Sequence, residues 1–179
     1  EGLVGTAPPL IAIVQDGDGL LDALVLADQT RTCDRAVIRA LAPEIDLSTH
    51  IQDVLAVLEF EDLTDVTLLG HSYGGMVATG VADKARGRIA RVVYIDAFAP
   101  KDGQSLFDLV GPKAEGNMRA GAAKDGDGWR LPVNPMPPDT APEDVAWASP
   151  RRRPQPIRTF EQKLQLDPKE PPPPRHYIY

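Results

Sequence analysis

The sequence predicts an α/β fold built on a parallel sheet, and three observations carry that prediction. Val66-Thr67-Leu68-Leu69 and Val92-Val93-Tyr94-Ile95 are short, apolar, partly β-branched runs of the kind found in buried parallel strands. Between them a glycine-rich turn, residues 70–75, leads into a helical segment carrying Met76, Val77, Gly80 and Val81. Strand, tight turn, helix and strand fit within the roughly 30 residues of a βαβ unit, whose crossover is right-handed. Just upstream, Ile51, Val54, Leu55 and Leu58 recur at i, i+3, i+4 and i+7, one apolar stripe on an amphipathic helix.

The elements follow in order. Leu10-Ile11-Ala12-Ile13-Val14 reads as a strand, residues 16–19 (Asp-Gly-Asp-Gly) as a turn, and Leu24-Val25-Leu26 as a second strand. About ten residues separate the two runs, too few for a helical crossover. They therefore form a hairpin, or one of them is not a strand. Ser48 and Thr49 are good N-cap residues, and Gln52, three after Thr49, completes a capping-box pattern. The second helix is expected to end near Gly87, a good residue just past a helix. Thirteen of the 18 prolines lie in residues 132–174, which excludes a regular sheet or long helix there. Short helices are expected near Leu106 and over residues 143–147. Residues 125–128 repeat the Asp-Gly-Asp-Gly turn. Pro171-Pro172-Pro173-Pro174 is a stiff spacer, and His176-Tyr177-Ile178-Tyr179 begins another strand.

Composition narrows the function. The 179 residues suit one domain with a small insertion, and 42% apolar and 25% charged residues are ordinary for a globular chain. A net charge of −7 argues against nucleic acid and against an anionic membrane surface as partners. No apolar run approaches the ~20 residues of a membrane helix. Three histidines and one cysteine cannot build a finger-type zinc site, and the single Cys33 excludes an internal disulfide. No metal or organic cofactor is implied. No signal peptide is legible, so a reducing, cytoplasmic setting is the expectation.

Gly70-His71-Ser72-Tyr73-Gly74 matches G-x-S-x-G, with a strand before it and a helix after it. Such a sharp strand-to-helix turn needs glycines where chain segments crowd together. It pushes the serine Oγ out of the sheet. The helix N-terminus behind it offers unpaired N–H groups and a partial positive charge to a developing oxyanion. Ser72 is thus the candidate nucleophile, and the Tyr73 N–H one oxyanion donor.

These residues carry a resemblance. Gly70-His71-Ser72-Tyr73-Gly74-Gly75-Met76-Val77, Val93-Tyr94-Ile95-Asp96-Ala97-Phe98 and Pro100-Lys101-Asp102-Gly103-Gln104-Ser105 resemble the α/β-hydrolase superfamily. The branch they look most like is the bacterial esterases related to plant hydroxynitrile lyases and salicylate methylesterases. The match is close over about residues 43–110 and looser through residues 126–130 and 159–162 to Tyr179. It implies a three-layer α/β-hydrolase-type sheet, with residues 1–103 and 171–179 as a partial core. Residues 104–170 would be a proline-rich cap insertion, with Trp129, Trp147 and Phe160 as cap-core or pocket residues. It implies hydrolysis of a small carboxylic ester through an acyl-enzyme on Ser72. Asp96, after the next strand, stands where some members place their acid, and His71 would pack or line the pocket.

The departures are equally specific. The chain stops before the family's acid and histidine, and Val14-Gln15-Asp16-Gly17 stands where the family has a His-Gly oxyanion loop. Residues 30–40 match the family's glycine-rich stretch only faintly, with Arg35 retained. The chain, opening on Glu1, reads as the middle of a longer hydrolase. His50, at a helix start, is expected to face solvent or to neighbour the cap, and His176 to be structural, so neither offers a base. Residues 151–153, three arginines, read as a solvated turn. Two alternatives stay open. One is a hydroxynitrile-lyase-like enzyme, for which Lys113, Lys124 and Lys163 are available but match no motif. The other is an inactive fragment or binding protein lacking the triad. An exposed sheet edge would favour self-association.

Overall fold

The computed structural model describes residues 10–15, 21–26, 41–150 and 152–179. The turn at residues 16–19, Cys33, residues 30–40 with Arg35, and Arg151 lie outside the described residues. β1 (Leu10–Gln15) and β2 (Leu21–Leu26) pair antiparallel, Leu10 opposite Leu26 and Gln15 opposite Leu21. The short connection does make a hairpin.

α1 (Leu47–Phe60) is capped one turn earlier than the sequence pattern indicated. Asp46 accepts the Thr49 N–H at 2.9 Å, and Thr49 Oγ accepts the Asp46 N–H at 3.3 Å. A carboxylate at the positive helix end outcompetes the hydroxyls of Ser48 and Thr49, which fall inside the first turn. The buried face is Leu47, His50, Ile51, Val54 and Leu58. His50 is therefore not at the solvent surface. It lies four residues before Val54 and three after Leu47, on the apolar stripe.

β3 (Val66–Ser72) follows a turn in which Asp62 and Asp65 take left-handed backbone angles, φ 47° and 55°. Short polar side chains tolerate that region better than most. α2 (Gly74–Lys84) is buried over most of its length. It ends at Lys84, short of Gly87, and a 3₁₀ turn, Arg86–Arg88, takes the chain into β4 (Ile89–Ala97). The early stop frees two arginines for other work. Arg88 donates to the Leu63 carbonyl at 2.9 Å, below the end of α1, and Arg86 donates to Asp83.

The proline-rich stretch is preceded by two helices. α3 (Leu106–Val110) is closed by a capping box: Ser105 Oγ accepts the Asp108 N–H at 3.1 Å, and Asp108 accepts the Ser105 N–H at 2.8 Å. These bonds, first the backbone one from Ser105, then its hydroxyl, hold the Asp108 carboxyl below its ordinary pKa, with Lys163 adding charge. α4 (Pro112–Asp125) is a 14-residue helix that the apolar pattern did not indicate, because Ala122 is its one buried residue. β5 (Arg130–Leu131) pairs antiparallel with β6 (Gln155–Pro156) around α5 (Pro142–Ala148). α6 (Arg158–Glu161) and β7 (Arg175–Ile178) complete the described elements. Residues 125–128 do form a turn, with Asp127 and Gly128 left-handed.

The main sheet runs β2-β1-β3-β4-β7, parallel throughout except for β2. Val66 and Leu68 of β3 and Val92 and Tyr94 of β4 are buried beneath α2, while the alternating residues Thr67, Leu69, Val93 and Ile95 are half-buried. α1 packs on α2, and α6 packs on α1 and α3. No helix among the described residues is long and apolar enough to cross a membrane.

Candidate active site

Three segments converge at the C-terminal end of β3, where open α/β sheets place their ligands. Gly70 lies against the start of α2: a Cβ there would stand 2.9 Å from Gly74 O and from Gly75 N. A Cβ at Gly75 would overlap the Phe98 carbonyl oxygen, just past β4. The backbone can therefore turn from strand to helix with no side chain between the layers. The turn falls on Ser72, whose φ is +50°. A non-glycine residue in the left-handed region costs about 1–2 kcal/mol and persists only where its surroundings hold it. Here Phe98 N–H donates to the Ser72 carbonyl at 3.0 Å and Met76 N–H to the Tyr73 carbonyl at 2.8 Å.

Ser72 is half-buried, and among the described residues no hydrogen bond engages its Oγ. Tyr73 is the N-cap of α2, so its N–H belongs to the helix end whose amides have no intrahelical acceptor. Its side chain points inward and is 1% exposed. The hydroxyl lies 2.9 Å from His50 Nδ1. Burial drives the phenol well above its ordinary pKa, the nearby Thr159 side chain offsets part of that, and the Asp46 charge adds to it. The ring lies 5.4 Å from that of Phe160, which in turn meets Phe107 edge-on at 5.9 Å.

Asp96 occupies the neighbouring strand end. His71 pairs with Ile95 and Ser72 with Ala97, so Asp96 is the extra residue of a β-bulge. It is exposed, with φ +39°. His71, between Val14 of β1 and Ile95 of β4, has its Nδ1 buried without a hydrogen-bond partner.

The other sequence candidates are dispersed. Phe160 joins the core beside Tyr73. Trp129 sits at the β5 corner under the Arg130 guanidinium, 5.2 Å away, and its carbonyl accepts the Ile157 N–H. Trp147 is 63% exposed on α5, so it is not a core residue: that short helix buries none of its residues. His176 is exposed on β7. Lys113 and Lys124 are exposed, and Lys163 reaches Asp108 at 3.7 Å. Arg152 donates to the Asn134 carbonyl at 2.6 Å. Among the described residues no group of three or more His, Cys, Asp or Glu could hold a metal. A cavity of about 240 Å³ between Arg86, Ile89 and the prolines 171–174 lies at the opposite end of the sheet from Ser72.

The residue that sequence reasoning missed is His50. Its signal was present, since extending the α1 stripe back one turn to Leu47 places it on the buried face.

Comparison with known proteins agrees with this geometry. Residues 13–179 match the alpha/beta hydrolase family. Over 131 residues the chain is 40% identical to the carbendazim hydrolyzing esterase of Nocardioides sp. (strain SG-4G), covering 68% of this chain and 54% of that protein. The chain thus spans about half the length of that relative. Among solved structures it is similar to an extracellular alpha/beta-hydrolase from a Paenibacillus species. That protein is described as sharing structural and functional homology with tobacco salicylic acid binding protein 2. The TM-score is 0.63 at 25% identity, covering 76% of this chain and 59% of that one. A pyrethroid hydrolase from Sphingobium faniae JZ-2 shares the fold at TM-score 0.50 and 18% identity, covering 69% of this chain and 53% of that one. The left-handed serine between β3 and α2, the glycines that admit it and these matches lead to one statement: the chain belongs to the alpha/beta hydrolase family.

Proposed function

We propose that this chain carries the nucleophile of a carboxylic ester hydrolase, with Ser72 attacking the carbonyl of a small ester. The observation that carries the reading is the backbone of Ser72: φ +50°, held between β3 and the N-terminus of α2, with its Oγ outside any hydrogen bond among the described residues. A residue kept in that conformation needs a reason, and presenting an Oγ beside helix N–H groups supplies one. On this reading the Oγ–C bond forms, and the carbonyl oxygen becomes an oxyanion that the Tyr73 N–H binds. The oxyanion then collapses, the bond from the carbonyl carbon to the alcohol oxygen breaks, and the alcohol leaves with the proton Ser72 gave up; water then attacks the acyl carbon, frees the acid and returns a proton to Ser72. The name of the Nocardioides relative, an esterase, supports the reaction class.

Asp96, at the bulge beside Ser72, is the proposed acid. The half-buried His71 is the proposed pocket-side residue, with Trp129 and Phe160 in the segment 104–170. That segment is the proposed cap over a core of residues 1–103 and 171–179. A cytoplasmic setting is part of the same proposal and rests on composition alone. None of the three histidines hydrogen-bonds Ser72: His50 is engaged with Tyr73, and His176 is on β7. Turnover by these 179 residues is therefore expected to be slow. A turn and oxyanion donor without their base still leave about 10³–10⁴-fold over water in a serine hydrolase. Intact-mass spectrometry after exposure to a fluorophosphonate probe tests the reading. A single adduct mapping to Ser72, slow to form and lost in Ser72→Ala, is the expected result. No adduct, or adducts scattered over other hydroxyls, overturns it.

A further inference from the structure

β7 stops short of the turn that carries Ser72, and one of its side chains stands where a longer strand would pair. Its ladder with β4 ends at Ile178 opposite Ile95, two residues before Ala97. Tyr177 leans forward along the strand instead. Its ring stacks on that of Tyr94, the residue opposite it, at 6.1 Å and 13°. Its hydroxyl accepts the Ala97 N–H at 3.0 Å and donates to the Ala97 carbonyl at 2.6 Å. An amide N–H only donates and a carbonyl only accepts, so both directions are fixed. Tyr177 is 40% exposed, yet its oxygen is turned onto backbone.

Two rigid planes carry that hold to the serine. A peptide unit is planar, and in its trans form the C=O and the N–H point opposite ways. The Ala97 carbonyl and the Phe98 N–H share one such plane. The carbonyl faces the Tyr177 hydroxyl, and the N–H donates to the Ser72 carbonyl at 3.0 Å. The Ser72 carbonyl and the Tyr73 N–H share the next plane. Anchoring that carbonyl on Phe98 therefore aims the Tyr73 N–H the other way.

The order runs from the Tyr177 O–H to the Ala97 C=O, the Phe98 N–H, the Ser72 C=O and the Tyr73 N–H. Each bond polarises the next, which strengthens the last donor. The relay joins the two left-handed residues at this end of the sheet, Asp96 at φ 39° and Ser72 at φ 50°. Such angles persist only where the surroundings hold them. Tyr177 holds both peptides that flank Ala97, on the far side of the bulge from Ser72.

We propose that Tyr177 is a positioning residue for the Tyr73 oxyanion donor, acting from β7 through the Ala97–Phe98 peptide and the Ser72 carbonyl. The proposal rests on the reading of Ser72 as nucleophile and of the Tyr73 N–H as its oxyanion donor. Tyr177 itself touches no reacting atom.

The test uses the whole chain, Tyr177→Phe and a matched control, Tyr179→Phe. Each change removes one phenolic oxygen from the same stretch of chain, and Tyr179 is fully exposed. Circular dichroism and the urea midpoint check folding. Fluorophosphonate labelling of Ser72 is resolved into its maximal rate and its half-saturating concentration. Tyr177→Phe is expected to lower the maximal rate about fivefold, a fraction of the roughly 10²–10³ that outright loss of an oxyanion donor costs. Half-saturation should move less than about twofold. Tyr179→Phe should label as the parent does. A merely structural role would lower the urea midpoint and leave the maximal rate of the folded chain alone. Amide hydrogen exchange adds a readout that needs no labelling. The Ala97 amide, beyond the end of β7, should be protected in the parent and lose about tenfold or more of that protection in Tyr177→Phe.

Equal maximal rates in Tyr177→Phe and the parent overturn the positioning role and leave the nucleophile reading intact. So does an equal fall in Tyr179→Phe. An Ala97 amide that exchanges in the parent as fast as a free peptide overturns the clamp, whether or not Tyr177→Phe folds. A parent chain that labels nowhere fails the nucleophile reading itself and removes the role with it.

Discussion

Ser72 holds its left-handed backbone because its neighbours leave no other path, and the tightest of those neighbours is Gly75. Adding a single methyl at Gly75 would drive a Cβ into the Phe98 carbonyl, which is backbone and cannot swing away. Gly75→Ala should destabilise the fold by about 3 kcal/mol, at the upper end of overpacking costs, as a lowered urea midpoint would show. The glycines and the serine were legible in the sequence because each answers a local demand: a sharp turn, a close approach, an exposed Oγ. His50 was misplaced because the stripe was started one turn too late, and its partner Tyr73 lies 23 residues away, where nothing near His50 in sequence announces a phenol. Trp147 failed for the converse reason. Its size suggested burial, but α5 offers it no opposing face.

At the scale of elements, α1 and α2 were legible because each carries enough buried apolar residues to set a helical period, and β3 and β4 because their runs are short and β-branched. α4 escaped because a helix that buries only Ala122 has no stripe to read. The α1–α2 contact depends on Gly80, where a Cβ would collide with Ile51 Cδ1 and press on Leu164. Gly80→Ala alone should cost about 1–3 kcal/mol, and Ile51→Val alone about 1 kcal/mol. The double variant should cost clearly less than both together, because the methylene lost from one helix makes room for the methyl added to the other. Denaturant titration of the four proteins gives the coupling directly. α3 carries a different signature. The bonds from Ser105 hold the Asp108 carboxyl below its ordinary pKa in the folded chain. A depressed folded value stabilises above the unfolded pKa and is lost as pH falls through the folded one. The stability gap between the parent and Asp108→Asn should therefore be full near neutrality and close on acidification below the ordinary carboxylate range. Ser105→Ala should move the Asp108 titration, followed by NMR, back up toward that range.

For the molecule as a whole, the strand order was beyond the sequence. Periodicity tells which residues form strands, and only long-range packing decides which strand lies beside which. The route into β7 shows the point. Arg86 donates to Asp83 and to the carbonyls of Asp167 and Glu170, and Asp83 accepts the Asp167 N–H. Two residues at the end of α2 thus steer a proline-rich stretch to the far side of β4. Among the described residues β7 has a neighbour on one side only, and Ile178 is 52% exposed on it. We propose self-association through that edge. Ile178→Lys, which places a charge on the open strand, should lower the weight-average mass in sedimentation runs at raised concentration, while an unchanged distribution would count against the edge as the contact. The bulge at the other end of β4 bears on what lengths of chain this fold accepts. Residues of a strand alternate between two faces, so parity decides inside from outside. β4 keeps step with β3 from Arg91 to Ile95 and is out of step by one after Asp96. That offset brings Phe98 to the Ser72 carbonyl and under Gly75, and it lets Ala97 meet the Tyr177 hydroxyl. Removing Asp96 would set Ala97 directly after Ile95 and still opposite Ser72, so the ladder would run on without its bulge and lose the local bend. The same deletion in residues 132–141 would only shorten a connection. At the bulge the count of residues sets the course of the backbone, because the extra residue supplies the bend that carries Phe98 to Ser72 and Gly75.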